Sequence, residues 1–180
     1  MSKKWLVFAV AVMLAGSAFA DERASSSVSP NLGKGTKTLE GAGYMDLMGD
    51  DVQFQLAYGW LVADRLEVAL VAGLRDNDFY MSTELGVRAE YNLVFDSPLV
   101  PFLSAGIVWA DVESDASGVD TDAAVFSVGA GVKYFIRDSV ALAVNGSYLY
   151  ATDDIFVDSE DGKVNDDEFR ILFSIRFYFN

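Results

Sequence analysis

Nine charged side chains recur at alternate positions in segments that are otherwise apolar or built of small residues: Glu40, Glu67, Glu84, Glu90, Arg75, Arg88, Lys133, Arg170 and Arg176. Residues two apart on a strand share a face. Glu84, Arg88 and Glu90 therefore lie on one face of their segment, and Arg170 and Arg176 on one face of theirs. Groups of this kind can form ion pairs, act as general acids and bases, or bind metal. Four acids against five bases is close to balance, which favours pairing, because an unpaired buried charge is far costlier than a paired one. The chain has no histidine and no cysteine. Ser–His–Asp and Cys–His nucleophilic sites are thereby excluded in their usual forms, as are histidine-ligated metals and disulfides. A carboxylate-only hydrolase would need two inward carboxylates facing each other across a cleft, and the pattern offers no such pair. One acidic segment, "DSEDGKVNDDE", invites comparison with a calcium loop. Gly162 at its sixth place would put Glu168 at the twelfth, but Val157 and Ser159 would then occupy the first and third, where carboxylate or amide oxygens are needed, so the segment is not an EF-hand.

The elements that carry these charges are strands. In "VQFQLAYGWLV", Val52, Phe54, Leu56, Tyr58 and Trp60 share one face and Gln53, Gln55, Ala57 and Gly59 the other. The same period of two runs through 66–75, 79–91, 103–110, 126–134, 140–150 and 169–179, and less clearly through 36–45. That makes eight strands of about ten residues, the length that crosses a bilayer when tilted. The connections at 61–65 and 135–139 are short, and that at 92–99 is of moderate length with a proline. Those at 111–122 and 152–168 are longer and acidic. Loops 46–51, 76–78, 111–122 and 152–168 hold 18 of the 27 acids, with Lys163 their only base. A solvated rim is the plain expectation for them, with weak divalent-cation binding as a sharper one.

The first twenty residues stand apart. A basic "MSKK", an apolar "WLVFAVAVMLAG" and the small-residue site Ala18–Phe19–Ala20 make a secretory signal peptide, expected to be cleaved after Ala20. Residues 21–35, with Ser, Gly and Pro and no periodicity, are expected to be a flexible lead-in. Without Lys3 and Lys4 the exported chain has 11 bases against 27 acids, a net charge of −16, which argues against nucleic acid as a partner. The longest uncharged stretches after residue 20, 97–110 and 139–152, are too short and too interrupted to be spanning helices. If the chain enters a membrane, strands take it there.

Which face is the interior decides between a soluble barrel and a membrane barrel. A soluble eight-stranded barrel turns its bulky apolar face inward and needs a well-solvated outer face. Here the second face is mostly Gly, Ala and Ser with a few charges, which suits a cramped lumen better than a solvated surface. The bulky face then meets lipid, where Arg or Lys would cost about 2–4 kcal/mol near the midplane. Tyr58, Trp60, Tyr91 and Tyr134 fall near the short-turn ends of their strands and Trp109, Tyr148 and Tyr150 near the loop ends, as two aromatic girdles would. The expected architecture is all-β, an eight-stranded antiparallel up-and-down transmembrane barrel over residues 36–180. If the 76–79 connection has four residues, Arg75 falls opposite Tyr80 and Glu67 opposite Arg88, so a Glu67–Arg88 ion pair is expected. Glu40, on the strand that closes against the last one, comes within reach of Arg170 or Arg176.

The leader, the eight amphipathic strands and the aromatic last strand resemble the small outer-membrane β-barrels of the OmpA/OmpX type. The resemblance is architectural and covers the whole exported chain. It implies no cofactor, a place in the outer membrane among its lipid and lipopolysaccharide, and a monomer. It also implies recognition of the last strand by the barrel-assembly machinery, through Phe173, Ile175, Phe177 and Phe179; Asn180 departs from the pattern by following the final Phe. Enzymes of this type rely on a histidine, so the resemblance implies a non-enzymatic structural or surface-interaction role. The alternative is a narrow channel or conduit for small ions or small hydrophobic molecules, which an eight-stranded lumen leaves little room for.

Overall fold

The computed structural model describes residues 28–45, 51–77, 81–95, 97–113, 120–157 and 164–180. Its strands are β1 (Lys37–Met45), β2 (Asp51–Ala63), β3 (Leu66–Asn77), β4 (Met81–Asn92), β5 (Leu99–Glu113), β6 (Asp120–Arg137), β7 (Val140–Ala151), the short β8 (Phe156–Val157) and β9 (Val164–Asn165), and β10 (Asp167–Phe179). β1 to β7 and β10 form a closed antiparallel barrel in which each strand pairs with its sequence neighbour, β7 pairs with β10, and β10 pairs with β1. β8 and β9 make a separate hairpin inside the connection between β7 and β10.

Alternation sorts the side chains as the sequence predicts. On the outside, Leu85 is 68% exposed and Phe169 and Phe173 are each 65% exposed, whereas inside Arg176 is 1% and Lys133 0% exposed. In water that arrangement would leave the apolar face unburied; in a bilayer it is the favourable one. No helix among the described residues is long and apolar enough to cross a membrane, so the spanning elements are the strands.

The lumen is closed at both ends by apolar side chains. At the short-turn end Leu32, Leu61, Val100, Phe135, Ala141 and Tyr178 pack together, with the Phe135 and Tyr178 rings 5.1 Å apart. Residues 28–35, the described part of the expected lead-in, lie against this rim. The Asn31 N–H donates to the Asp138 carbonyl, the Gly35 N–H to the Leu61 carbonyl, and the Leu32 carbonyl accepts from the Arg65 N–H. The Ser29 and Lys34 N–H groups donate to the Asp138 and Asp64 carboxylates. At the loop end Ala110, Val112, Ala123, Val125, Leu149 and Ala151 meet Ile155 and Phe156, which the β8–β9 hairpin brings over the mouth.

One expectation about register is corrected. Arg75 pairs with Ser82 rather than Tyr80, and Glu67 lies opposite Glu90 rather than Arg88, whose partner on β3 is Ala69. The slip is two residues. A shift of two keeps every side chain on its face, so periodicity cannot detect it.

Glycine fits where the inner wall is crowded. A Cβ on Gly131 would run into the Phe102 ring, with Cε1 only 2.8 Å away, and into the Val144 carbonyl of the neighbouring strand. Gly41 has nothing within 4 Å of the same position. Gly131→Ala is therefore expected to lower the unfolding free energy in lipid by about 1–3 kcal/mol, and Gly41→Ala to leave it within about 0.5 kcal/mol. Denaturant titration of the two variants in vesicles checks both.

Candidate functional site

All nine charged residues singled out above point into the barrel, and the structure gathers them into two clusters. In the cluster nearer the short turns, Glu40 accepts from Arg88 and lies 3.2 Å from Arg176 Nη2. Arg176 Nη1 donates to Glu90 at 2.7 Å, and Lys133 donates to the same Glu90 and to Asn92 Oδ1 at 2.7 Å. Glu67 lies 3.9 Å from Lys133 and accepts a 2.8 Å bond from Thr38 Oγ1. In the cluster nearer the loops, Arg170 donates to Glu84 at 3.2 Å and to Glu168 at 2.9 Å, and Arg75 donates to Glu168 at 2.8 Å.

The local logic of the first cluster follows from register. Glu67 and Glu90 are direct cross-strand partners, and like charges in that position repel. Lys133 enters from β6 between the two, and Arg176 from β10 meets Glu90 as well. Glu40 and Arg176 are cross-strand partners too, across the seam where β1 meets β10. Phe102 on β5 takes part as well: Lys133 Nζ and Arg176 Cζ each lie 5.0 Å from its ring centroid. Two cations on one ring gain from its quadrupole and are screened from water by it.

Glu168 is the member that the sequence reading placed elsewhere. It was counted among the solvated loop acids, but its side chain is 21% exposed and bridges Arg75 and Arg170. Its position two before Arg170 puts it on the inward face by parity. With Glu168 included, three acids face three bases in one cluster and two face two in the other among the described residues. Thr38 and Asn92 share parity with Glu40 and Glu90 and were visible by the same rule. Phe102 and Phe135 share the parity of Ser104 and Lys133, but they fall just outside the expected strands 103–110 and 126–134.

The expected Glu67–Arg88 pair is replaced by Glu40–Arg88, because the two-residue slip carries Arg88 away from Glu67. Of the two partners expected for Glu40, it takes Arg176; Arg170 belongs to the other cluster. Each carboxylate described here accepts from a cation or a hydroxyl, so the arrangement holds charge in place. Among the described residues no group of three or more acids could hold a metal ion.

The seven girdle residues all face outward. Their exposures run from 36% for Tyr58 to 56% for Trp109. Tyr58 meets Trp60 edge-on at 4.8 Å and lies 6.3 Å from Phe179. On β10, Phe173 and Phe179 are exposed and Ile175 and Phe177 half-buried, all on the outer face, while Arg170, Arg176 and Tyr178 are buried within. Tyr80 and the acids of 46–50, 114–119 and 158–163 lie outside the described residues.

A double-mutant cycle separates the observed pairing from the expected one. Glu40→Gln with Arg88→Met is expected to show a coupling of about 1–3 kcal/mol in unfolding free energy, and Glu67→Gln with Arg88→Met a clearly smaller one. Lys133→Met alone is expected to cost about 3–5 kcal/mol, since it removes the cation that Glu67 and Glu90 share and leaves the cluster short of one positive charge.

The outer membrane protein beta-barrel domain family matches residues 6–177. Among curated proteins none matches the chain. The N-terminal β-barrel domain of Pseudomonas aeruginosa OprF is similar in structure, at 19% identity and a TM-score of 0.64, over 82% of this chain and 99% of that domain. Neisserial surface protein A is similar at 20% identity and a TM-score of 0.55, over 80% of this chain and 95% of its own. At these identities the two neighbours speak for the fold. Taken with the closed eight-stranded barrel and its inverted polarity, the family match is decisive: the chain belongs to the outer membrane protein beta-barrel domain family and is an outer-membrane β-barrel protein.

Proposed function

We propose that this protein is a non-conducting, non-enzymatic barrel that contributes to envelope integrity and presents acidic loops at the cell surface. The observation that carries this reading is the filled lumen. Arg176, Lys133, Phe102, Phe135, Leu61, Gln53, Glu67 and Glu90 are all almost fully buried inside it. An ion crossing the barrel would have to displace paired charges between two apolar seals, and desolvation inside a narrow barrel makes that costly. The conduit reading has no comparable support.

The rest of the proposal follows the barrel's asymmetry. The leader exports the chain, the assembly machinery reads β10 through Phe173, Ile175, Phe177 and Phe179, and the barrel stands as a monomer among phospholipid and lipopolysaccharide. The short turns face the periplasm and the longer loops the outside, as in bacterial barrels generally. The described loop-side acids Asp111, Asp122, Asp153 and Asp154 are exposed, and a rim of this sign attracts divalent cations weakly.

Single-channel recording of the refolded protein in planar bilayers tests the central point. The expected outcome is no sustained conductance at physiological salt; steady unitary openings would overturn it. Envelope leakage separates the two parts of the role. A strain lacking the protein is expected to be restored by a variant with shortened loops if the barrel itself supplies integrity.

A further inference from the structure

The connection between β4 and β5 carries an apolar surface that strand alternation does not require. Its described residues are held by several hydrogen bonds. The Asn92 N–H donates to the Arg65 carbonyl at 2.8 Å and its side-chain amide to the same oxygen at 3.1 Å. The Leu93 N–H donates to the Pro101 carbonyl and the Phe135 N–H to the Pro98 carbonyl, both at 2.8 Å. The Ser97 N–H donates to the Phe95 carbonyl at 2.7 Å, and Ser97 Oγ accepts from the Leu99 N–H at 3.1 Å. The result is a ledge folded against the barrel end. Val94 packs inward on the apolar cluster that seals the lumen. Its two neighbours, Leu93 and Phe95, turn out and are 37% and 60% exposed.

A lone exposed apolar residue needs no explanation. These two are not alone. Tyr91 pairs with Leu103, and Leu99 with Tyr134, on the outer wall beside them. All four are exposed and belong to the lipid-facing belt. Leu93 and Phe95 extend that belt beyond the last strand residues of β4, past the tyrosines that mark the lipid–water boundary. A turn in water would favour Gly, Asn, Asp or Ser at such positions.

We propose that Leu93 and Phe95 dock into the interfacial zone of the phospholipid leaflet on the short-turn side, as an anchor outside the strands that sets the depth of this rim. The occupant is lipid because the surface is continuous with the wall that lipid already covers. Leu93, Phe95 and Ser97 already hold backbone hydrogen bonds, which lowers the entropy cost of ordering them in lipid.

Tryptophan quenching tests this. In the exported chain from Asp21 with Trp60 and Trp109 replaced by Phe, Phe95→Trp places one indole on the ledge. A second chain keeps Trp60 alone, as a girdle reference on the same rim. Both are refolded into phosphatidylcholine vesicles carrying lipid brominated high on its acyl chains, and heat-dependent gel migration verifies the folded barrel. The expected result is quenching by the bromolipid at position 95 within about twofold of that at Trp60, with weak quenching by aqueous iodide. Strong iodide quenching at 95 while Trp60 remains quenched by the bromolipid would overturn the anchor and leave the spanning barrel intact. Quenching at 95 by neither agent while Trp60 remains quenched by the bromolipid, with a cross-linked dimer, would assign the ledge to a second copy and likewise overturn it. Loss of bromolipid quenching at Trp60 itself would refute membrane insertion, and the anchor with it.

Discussion

A strand in hydrocarbon finds no water for its N–H and C=O groups, and the rest of this structure depends on that constraint. Every spanning strand must have a partner on both sides, so the sheet has to close. Here closure is made by β1 against β10, from Lys37 opposite Phe179 to Gly43 opposite Phe173. With eight strands the closed sheet encloses a narrow lumen that side chains fill. The outer surface faces lipid and can be apolar without penalty.

The charged clusters are a consequence of that geometry. Long side chains pointing inward from a small circle cannot avoid one another, so their signs have to alternate. Glu67 facing Glu90 would be a liability in isolation. Lys133 and Arg176 turn it into part of a neutral set, with both cations against the Phe102 ring. The apolar packing at each end then keeps water from the ion pairs, which strengthens their attraction and raises the cost of leaving any member unpaired. A sealed interior and a paired interior support each other.

The faces were legible in the sequence. Alternation placed all nine charged residues inside and all seven girdle aromatics outside, because a side chain's face depends only on the parity of its position. Partners were not legible. Glu67 was matched to Arg88 on an assumed connection length, and a slip of two residues undid the match without moving either group off its face. Glu168 was grouped with the loop acids around it, although it shares parity with Arg170. Phe102 and Phe135 were hidden for another reason: bulk is expected on the lipid face, yet Phe102 packs inward against Lys133 and Arg176, and Phe135 inward in the seal at the short-turn end. The ledge of Leu93 and Phe95 lies between strands, where no period applies.

By itself the sequence determined which solvent each strand face meets, since that follows from a local period of two and from the transfer energies of the residues on each face. It determined the sign of the rim and the absence of histidine and cysteine chemistry. Only the tertiary structure decided which acid meets which base, how far β3 slides along β4, and what seals the two mouths. Those outcomes depend on contacts between residues far apart in the chain, such as Arg176 with Glu90 and Phe135 with Tyr178. Many registers share one alternation, and the choice among them belongs to the closed ring of strands as a whole.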